Sequence, residues 1–154
     1  IGGKGNDGVA AYVKQTAGSI GYVEYTYARE NSMTHAQLQA RDGAYVDPEP
    51  STFAAAAAGA DWTQAPGFNL LLLDEPGANA WPITGATFVL VSKTKDPAKT
   101  AEVLKFFDWT LSNGDAAAAE LGYVPLPAPL KDMVRKAWAS ELPAAAPKAA
   151  APQG

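Results

Sequence analysis

Two hydrophobic spacings alternate along this chain, and they predict different elements. Leu130, Met133, Val134, Ala137 and Trp138 fall at i, i+3, i+4, i+7 and i+8. That spacing puts all five on one face of a helix. Ala101, Leu104, Phe107 and Leu111 form a second such stripe, widened by Phe106 and Trp109. Asp96-Pro97 marks its start, because Asp accepts hydrogen bonds from free backbone N–H groups and Pro tolerates the first helical position. Asn113-Gly114 closes it, and a further helix is expected from Asp115 to Leu121, stopping at Gly122. Near the start, Val9, Val13 and Thr16 predict a helix capped by Asn6 or Asp7 and ended by Gly18. Ser51 reads as the cap of a helix over 52–58 that ends at Gly59.

Period-2 and continuous apolar runs predict the strands. Residues 19–27 are rich in β-branched and aromatic side chains. Phe68 to Leu73 is short and almost wholly apolar, the pattern of a strand buried on both faces. Trp81 to Val91 is the third run, with Pro82 at its beginning, where a missing donor does least harm. A short hairpin of 37–39 with 44–46 is expected around the Asp42-Gly43 turn. Residues 74–77 and 123–129 read as connectors. Pro143 to Gly154 holds only Pro, Ala, Lys, Gln and Gly, so it reads as a disordered tail with nothing to bury. Strands alternating with helices give an α/β class. Three solid strands are few for a doubly wound sheet that stands alone.

Composition narrows the function classes. The chain has 154 residues, 47% hydrophobic and 18% charged, enough for a real core and against disorder throughout. Twelve basic residues against 16 acidic ones give a net charge of −4. There is no basic surplus to hold a polyphosphate backbone, so no nucleic-acid partner is expected. No apolar run approaches the roughly 20 residues that span a bilayer. The absence of Cys removes disulfides, thiolate metal sites and a Cys nucleophile. The sequence opens at Ile1 rather than Met, so processing or a longer parent is expected.

Candidate chemistry is sparse. Gly2-Gly3-Lys4-Gly5-Asn6-Asp7 resembles an anion nest ahead of a helix, and Gly5 and Asn6 are its candidate residues. It lacks the P-loop Lys-Ser/Thr pair and does not follow a strand as a dinucleotide fingerprint does. The bland alternative is a tight turn before a capped helix. His35 is the only histidine, with no Gly-x-Ser-x-Gly elbow to build a triad and no second His or Cys to build a zinc site. Asp74-Glu75 is the only adjacent acidic pair and sits in a Pro-Gly loop. No catalytic residue, metal site or cofactor is expected.

Several phrases, in order, carry a resemblance. Gly2-Gly3-Lys4-Gly5-Asn6-Asp7-Gly8-Val9-Ala10 is followed by Gly18-Ser19-Ile20-Gly21-Tyr22-Val23-Glu24-Tyr25. Then come Trp81-Pro82-Ile83-Thr84 with Thr87-Phe88, and Glu102-Val103-Leu104-Lys105-Phe106-Phe107-Asp108-Trp109. Tyr123-Val124-Pro125-Leu126-Pro127 and Ala137-Trp138 complete them. Together they resemble the C-terminal half of the periplasmic phosphate-binding proteins of bacterial phosphate ABC importers.

The resemblance implies a two-lobed, Venus-flytrap solute-binding protein of the type II fold. Residues 1–75 would be the later part of one lobe, 76–81 an interlobe crossover, and 82–142 the returning part of the other lobe. The partners implied are inorganic phosphate in the complete protein, an upstream N-terminal half, and the membrane permease of the importer. The implied location is periplasmic or cell-surface. The family's ligand residues lie mostly upstream, in hydroxyl-bearing loops, an Asp, and an Arg with a Ser-Gly-Thr helix start. This sequence has no Ser-Gly-Thr, and Arg29, Arg41 and Arg135 lie outside that context. Only Gly5 and Asn6 stay as cleft-side candidates. The alternatives are a truncated half that pairs structurally with another chain, and an enzyme such as a phosphatase. The lack of a nucleophile and of a metal cluster argues against the enzyme.

Overall fold

The computed structural model describes residues 1–92 and 96–142. The expected tail at 143–154 lies outside them. Among the described residues six helices dominate: α1 (Gly5–Gln15), α2 (Tyr25–Glu30), α3 (Pro50–Gly59), α4 (Pro97–Asn113), α5 (Asp115–Glu120) and α6 (Ala128–Glu141). Four two-residue strands among the described residues form two separate antiparallel ladders. β1 (Leu38–Gln39) pairs with β2 (Tyr45–Val46), and β3 (Leu72–Leu73) pairs with β4 (Ile83–Thr84). Helices mixed with small sheets are compatible with the α/β class.

Local signals placed the later helices well. The Asp96 carboxylate accepts from the Ala98 and Lys99 N–H groups, and Pro97 occupies the first turn of α4. The Asp42-Gly43 hairpin forms with Leu38 opposite Val46. At α3 the cap is Glu49, not Ser51. Pro50 takes the first helical position, and the Glu49 carboxylate and Thr52 hydroxyl each accept from the other residue's backbone N–H, a capping box. At α1 the cap is Lys4, so Asn6 and Asp7 lie inside the first turn.

The strand expectations shrink most. Residues 19–24 form neither a helix nor a strand ladder among the described residues, and Tyr25 starts a helix. That turn forms because tertiary packing overrides a weak β preference. The Tyr25 ring meets Phe53 edge-on at 5.4 Å, and Phe53 meets Trp81 in the same way at 6.2 Å. In 68–73 only Leu72–Leu73 is a strand. Pro66–Phe68 forms a tight 3-10 turn, with Gly67 and Phe68 at φ 65° and 60°. In 81–91 only Ile83–Thr84 pairs, and the rest runs on without a ladder.

Two small cores hold the chain together. Trp62, Ala60, Leu72 and Leu130 form one, with Phe68, Leu70, Ala86 and Met133 against it. It joins residues on both sides of the 76–81 link. The second gathers Ala40, Val46 and Trp81 with Leu38 and Phe53. The link is pinned by the Trp81 N–H donating to the Thr52 carbonyl at 3.0 Å. Gly59 lies flat on the Pro76 carbonyl, where any Cβ would collide. Arg135 ties α6 to α4 through Asp108 at 2.7 Å, and Lys131 ties it to Asp115 of α5 at 2.6 Å.

Candidate functional site

The glycine-rich lead-in does precede a helix. Gly5, at φ 69°, opens α1 in a conformation a side chain would resist. The N–H groups of the first turn have no helical acceptor, as at any helix start. Lys4 caps without a side-chain hydrogen bond. Gly5 is exposed and Asn6 half-buried. The Asn6 Oδ1 accepts from the Glu24 N–H at 3.0 Å. Asn6 therefore holds the end of the 19–24 segment against the start of α1, which the sequence alone did not show.

Carboxylates stand close to this turn. Asp7 lies in the first turn of α1. Its carboxylate, then slight desolvation, then Glu24 and Glu30, raise the Tyr27 phenol above its ordinary value of 10.0. An anion placed here would meet the same carboxylates. The arginines point elsewhere: Arg135 is paired with Asp108 and Asp132, Arg41 donates to the Asp74 carbonyl, and Arg29 lies 5.8 Å from the Tyr25 ring centre. Favourable desolvation of an anion needs several charged or preorganised donors. Those supplied here are backbone N–H groups, the exposed Lys4 ammonium and the Asn6 amide, with no arginine among them.

The other candidates resolve into structure. His35 is exposed and faces Asp47 at 3.7 Å, while Gln37 donates to the same carboxylate at 2.9 Å. Asp74 and Glu75 occupy a loop, where the Asp74 N–H donates to the Pro82 carbonyl and continues the β3–β4 ladder. No group of three His, Cys, Asp or Glu able to hold a metal occurs among the described residues. No helix among them is long and apolar enough to cross a membrane.

One concavity among the described residues was not anticipated. An open groove of about 610 Å³ is lined by residues 19–25 together with Met33, Leu38, Phe53, Trp81 and Ile83. Its sequence signal was the β-branched and aromatic run at 19–27.

No protein-family model matches the chain. Curated proteins do. The phosphate-binding protein PstS of Xylella fastidiosa is 50% identical over 142 residues, which is 92% of this chain. The chain is a relative of the PstS phosphate-binding proteins. The Haemophilus influenzae PstS is 47% identical over the same share of the chain, and that of Methanocaldococcus jannaschii is 34% identical over 82% of it. The chain spans about two-fifths of the length of these relatives, 39% of the first and 42% of the second. A share of that size agrees with the resemblance to a C-terminal half.

Proposed function

We propose that this chain is the C-terminal half of the substrate-binding component of a phosphate ABC importer. The observation that carries this reading is the 50% identity over 142 residues to a protein named for binding phosphate. In the complete protein, residues 1–75 form the later part of one lobe, 76–81 the crossover and 82–142 the returning part of the other. Inorganic phosphate lies in the cleft between the lobes, held by hydrogen bonds and released to a membrane permease as the lobes open. The protein captures its ligand and does not transform it, and it works outside the cytoplasmic membrane.

In this reading Gly5 and Asn6 lie on the cleft side, and the charged ligands come from the remaining part of the polypeptide. The acidic surroundings of α1 support that division, because Asp7, Glu24 and Glu30 raise the Tyr27 phenol. The test is a chimaera in which this chain replaces the matching part of the Xylella fastidiosa relative. Calorimetric titration should give saturable, stoichiometric phosphate binding. A chimaera that folds cooperatively and takes up no phosphate would refute the reading.

A further inference from the structure

Two contacts between residues 1–75 and residues 82–142 differ in character. One is the apolar core in which Leu130 and Met133 of α6 pack with Ala60, Trp62 and Leu72. The other joins α2 to the end of α5, and it is polar. α5 ends in a left-handed cap. Gly122 has φ 83°, its N–H donates to the Ala119 carbonyl at 3.0 Å, and the Tyr123 N–H donates to the Ala118 carbonyl at 2.8 Å. This is the pair of bonds that closes a helix through a glycine. The Gly122 carbonyl takes no part in them, and the Thr26 hydroxyl of α2 donates to it at 3.4 Å. The approach is close. A Cβ on Gly122 would lie 2.5 Å from Thr26 Oγ1, 3.1 Å from Arg29 Nη2 and 3.2 Å from Thr26 Cγ2. The cap by itself accepts Gly or Asn. The seat against Thr26 has no room for the Cβ of Asn. Gly122 therefore answers to two constraints, one inside α5 and one from a residue 96 positions away.

We propose that the seat of Gly122 on Thr26 is a latch between the lobes: it forms when they close on phosphate and parts when they open. Thr26 and Gly122 are then positioning residues, which hold the closed state without touching the ligand. The inference rests on the reading above, in which 1–75 and 82–142 belong to different lobes. Its physical ground is what each contact loses on separation. Parting Leu130 from Trp62 returns buried apolar surface to water, which opposes opening there. Parting Thr26 from Gly122 exchanges one hydrogen bond for bonds to water, at small net cost. Thr26 and Gly122 are half-buried and Arg29 is exposed, so water reaches the seat. The Trp62 core and the 76–81 link, pinned by the Trp81 N–H on the Thr52 carbonyl, are therefore the side that stays together. The α2–Gly122 seat is the side that opens. A contact made only in the closed state slows the escape of phosphate and leaves its entry, into the open state, unchanged.

The test is a double-mutant cycle on the chimaera with the Xylella fastidiosa upstream segment. Each variant is measured twice, by the release of labelled inorganic phosphate and by the urea midpoint of the phosphate-free protein. Gly122→Asn keeps a residue that the left-handed cap accepts and drives a Cβ into Thr26. It should speed phosphate release about tenfold or more and leave the association rate within about twofold. Thr26→Ala removes both Thr26 atoms that this Cβ meets. In that background Gly122→Asn should change the release rate by less than about twofold. In the phosphate-free protein the two substitutions should act additively on the midpoint, because the seat is open there. Coupling between them in the phosphate-free midpoint would overturn the proposal, since the contact would then be a fixed part of the fold. Additivity in the release rate would overturn it as well. A chimaera with Thr26 and Gly122 in place that binds no phosphate removes the proposed function and this inference with it. One that binds phosphate and gives either contrary result removes the inference alone.

Discussion

Replacing Trp62 by Ala should remove the centre of the larger core. Trp62 is 8% exposed and packs with Ala60, Leu72 and Leu130, and its ring lies 6.4 Å from that of Phe68. Its indole N–H donates to the Ala57 carbonyl at 2.7 Å, satisfying one of the last carbonyls of α3, which have no helical donor. Truncating a buried aromatic costs about 3–5 kcal/mol, and the lost hydrogen bond about 1 kcal/mol more. A domain's whole stability is about 5–15 kcal/mol. With a urea slope of about 2 kcal/mol/M, the midpoint should fall by about 2 M or more. Trp62→Phe keeps most of the ring and loses the donor, so it should cost about 1–2 kcal/mol. Urea unfolding followed by far-ultraviolet circular dichroism, in the chimaera, measures both. A Trp62→Ala midpoint within about 0.2 M of the parent would refute the packing argument. Equal losses for Ala and Phe would assign the cost to the hydrogen bond instead.

Asp96→Ala removes the side-chain cap of α4 and should cost about 1 kcal/mol, read from the same denaturation curves, with Asp96→Asn recovering most of it. Gly59→Ala should destabilise by more than a helix-favouring change would gain, because its Cβ meets the Pro76 carbonyl; a raised midpoint would show that the link at 76–81 gives way. Trp138→Ala should cost clearly less than Trp62→Ala, since Trp138 is half-buried and outside both cores. Tyr27 should ionise above its ordinary value, and Asp7→Asn should bring it down, because Asp7 is the largest cause of the shift. The sign follows from the unfolded chain ionising first, so any effect on stability is a loss as pH rises past 10.0. An NMR titration of the Tyr27 ring that shows no change in Asp7→Asn would contradict this.

The sequence was most legible where structure is local. Asp96-Pro97 announces α4 because cap and first turn are set by neighbouring residues, and the Asp42-Gly43 turn fixes the pairing of Leu38 with Val46. Of the α6 stripe, Leu130 is buried and Met133 packs against the same core, while Val134, Ala137 and Trp138 are half-buried. Strands were legible only as propensity. Residues 19–24 and 86–91 have the composition of strands but form no ladder among the described residues, because pairing depends on segments that are not neighbours in sequence. The same limit hid the turn at Tyr25, which is fixed by Phe53, 28 positions away. Of the candidate site, the glycine lead-in and the helix behind it were readable from residues 2–15. The bond from Glu24 to Asn6 and the acidic setting were not, because both come from bringing α1 and α2 together. Arg135 likewise lacks a ligand context in sequence, and its partners Asp108 and Asp132 supply the physical reason.

The most direct test of the central claim compares phosphate uptake by the 154-residue chain with that by the chimaera, using equilibrium dialysis against labelled phosphate at physiological salt. The account predicts saturable binding by the chimaera and, for the chain alone, at most weak association that salt removes. Micromolar or tighter binding by the chain alone would contradict it, and would place the ligand residues at Gly2 to Asp7 rather than in the remaining part of the polypeptide.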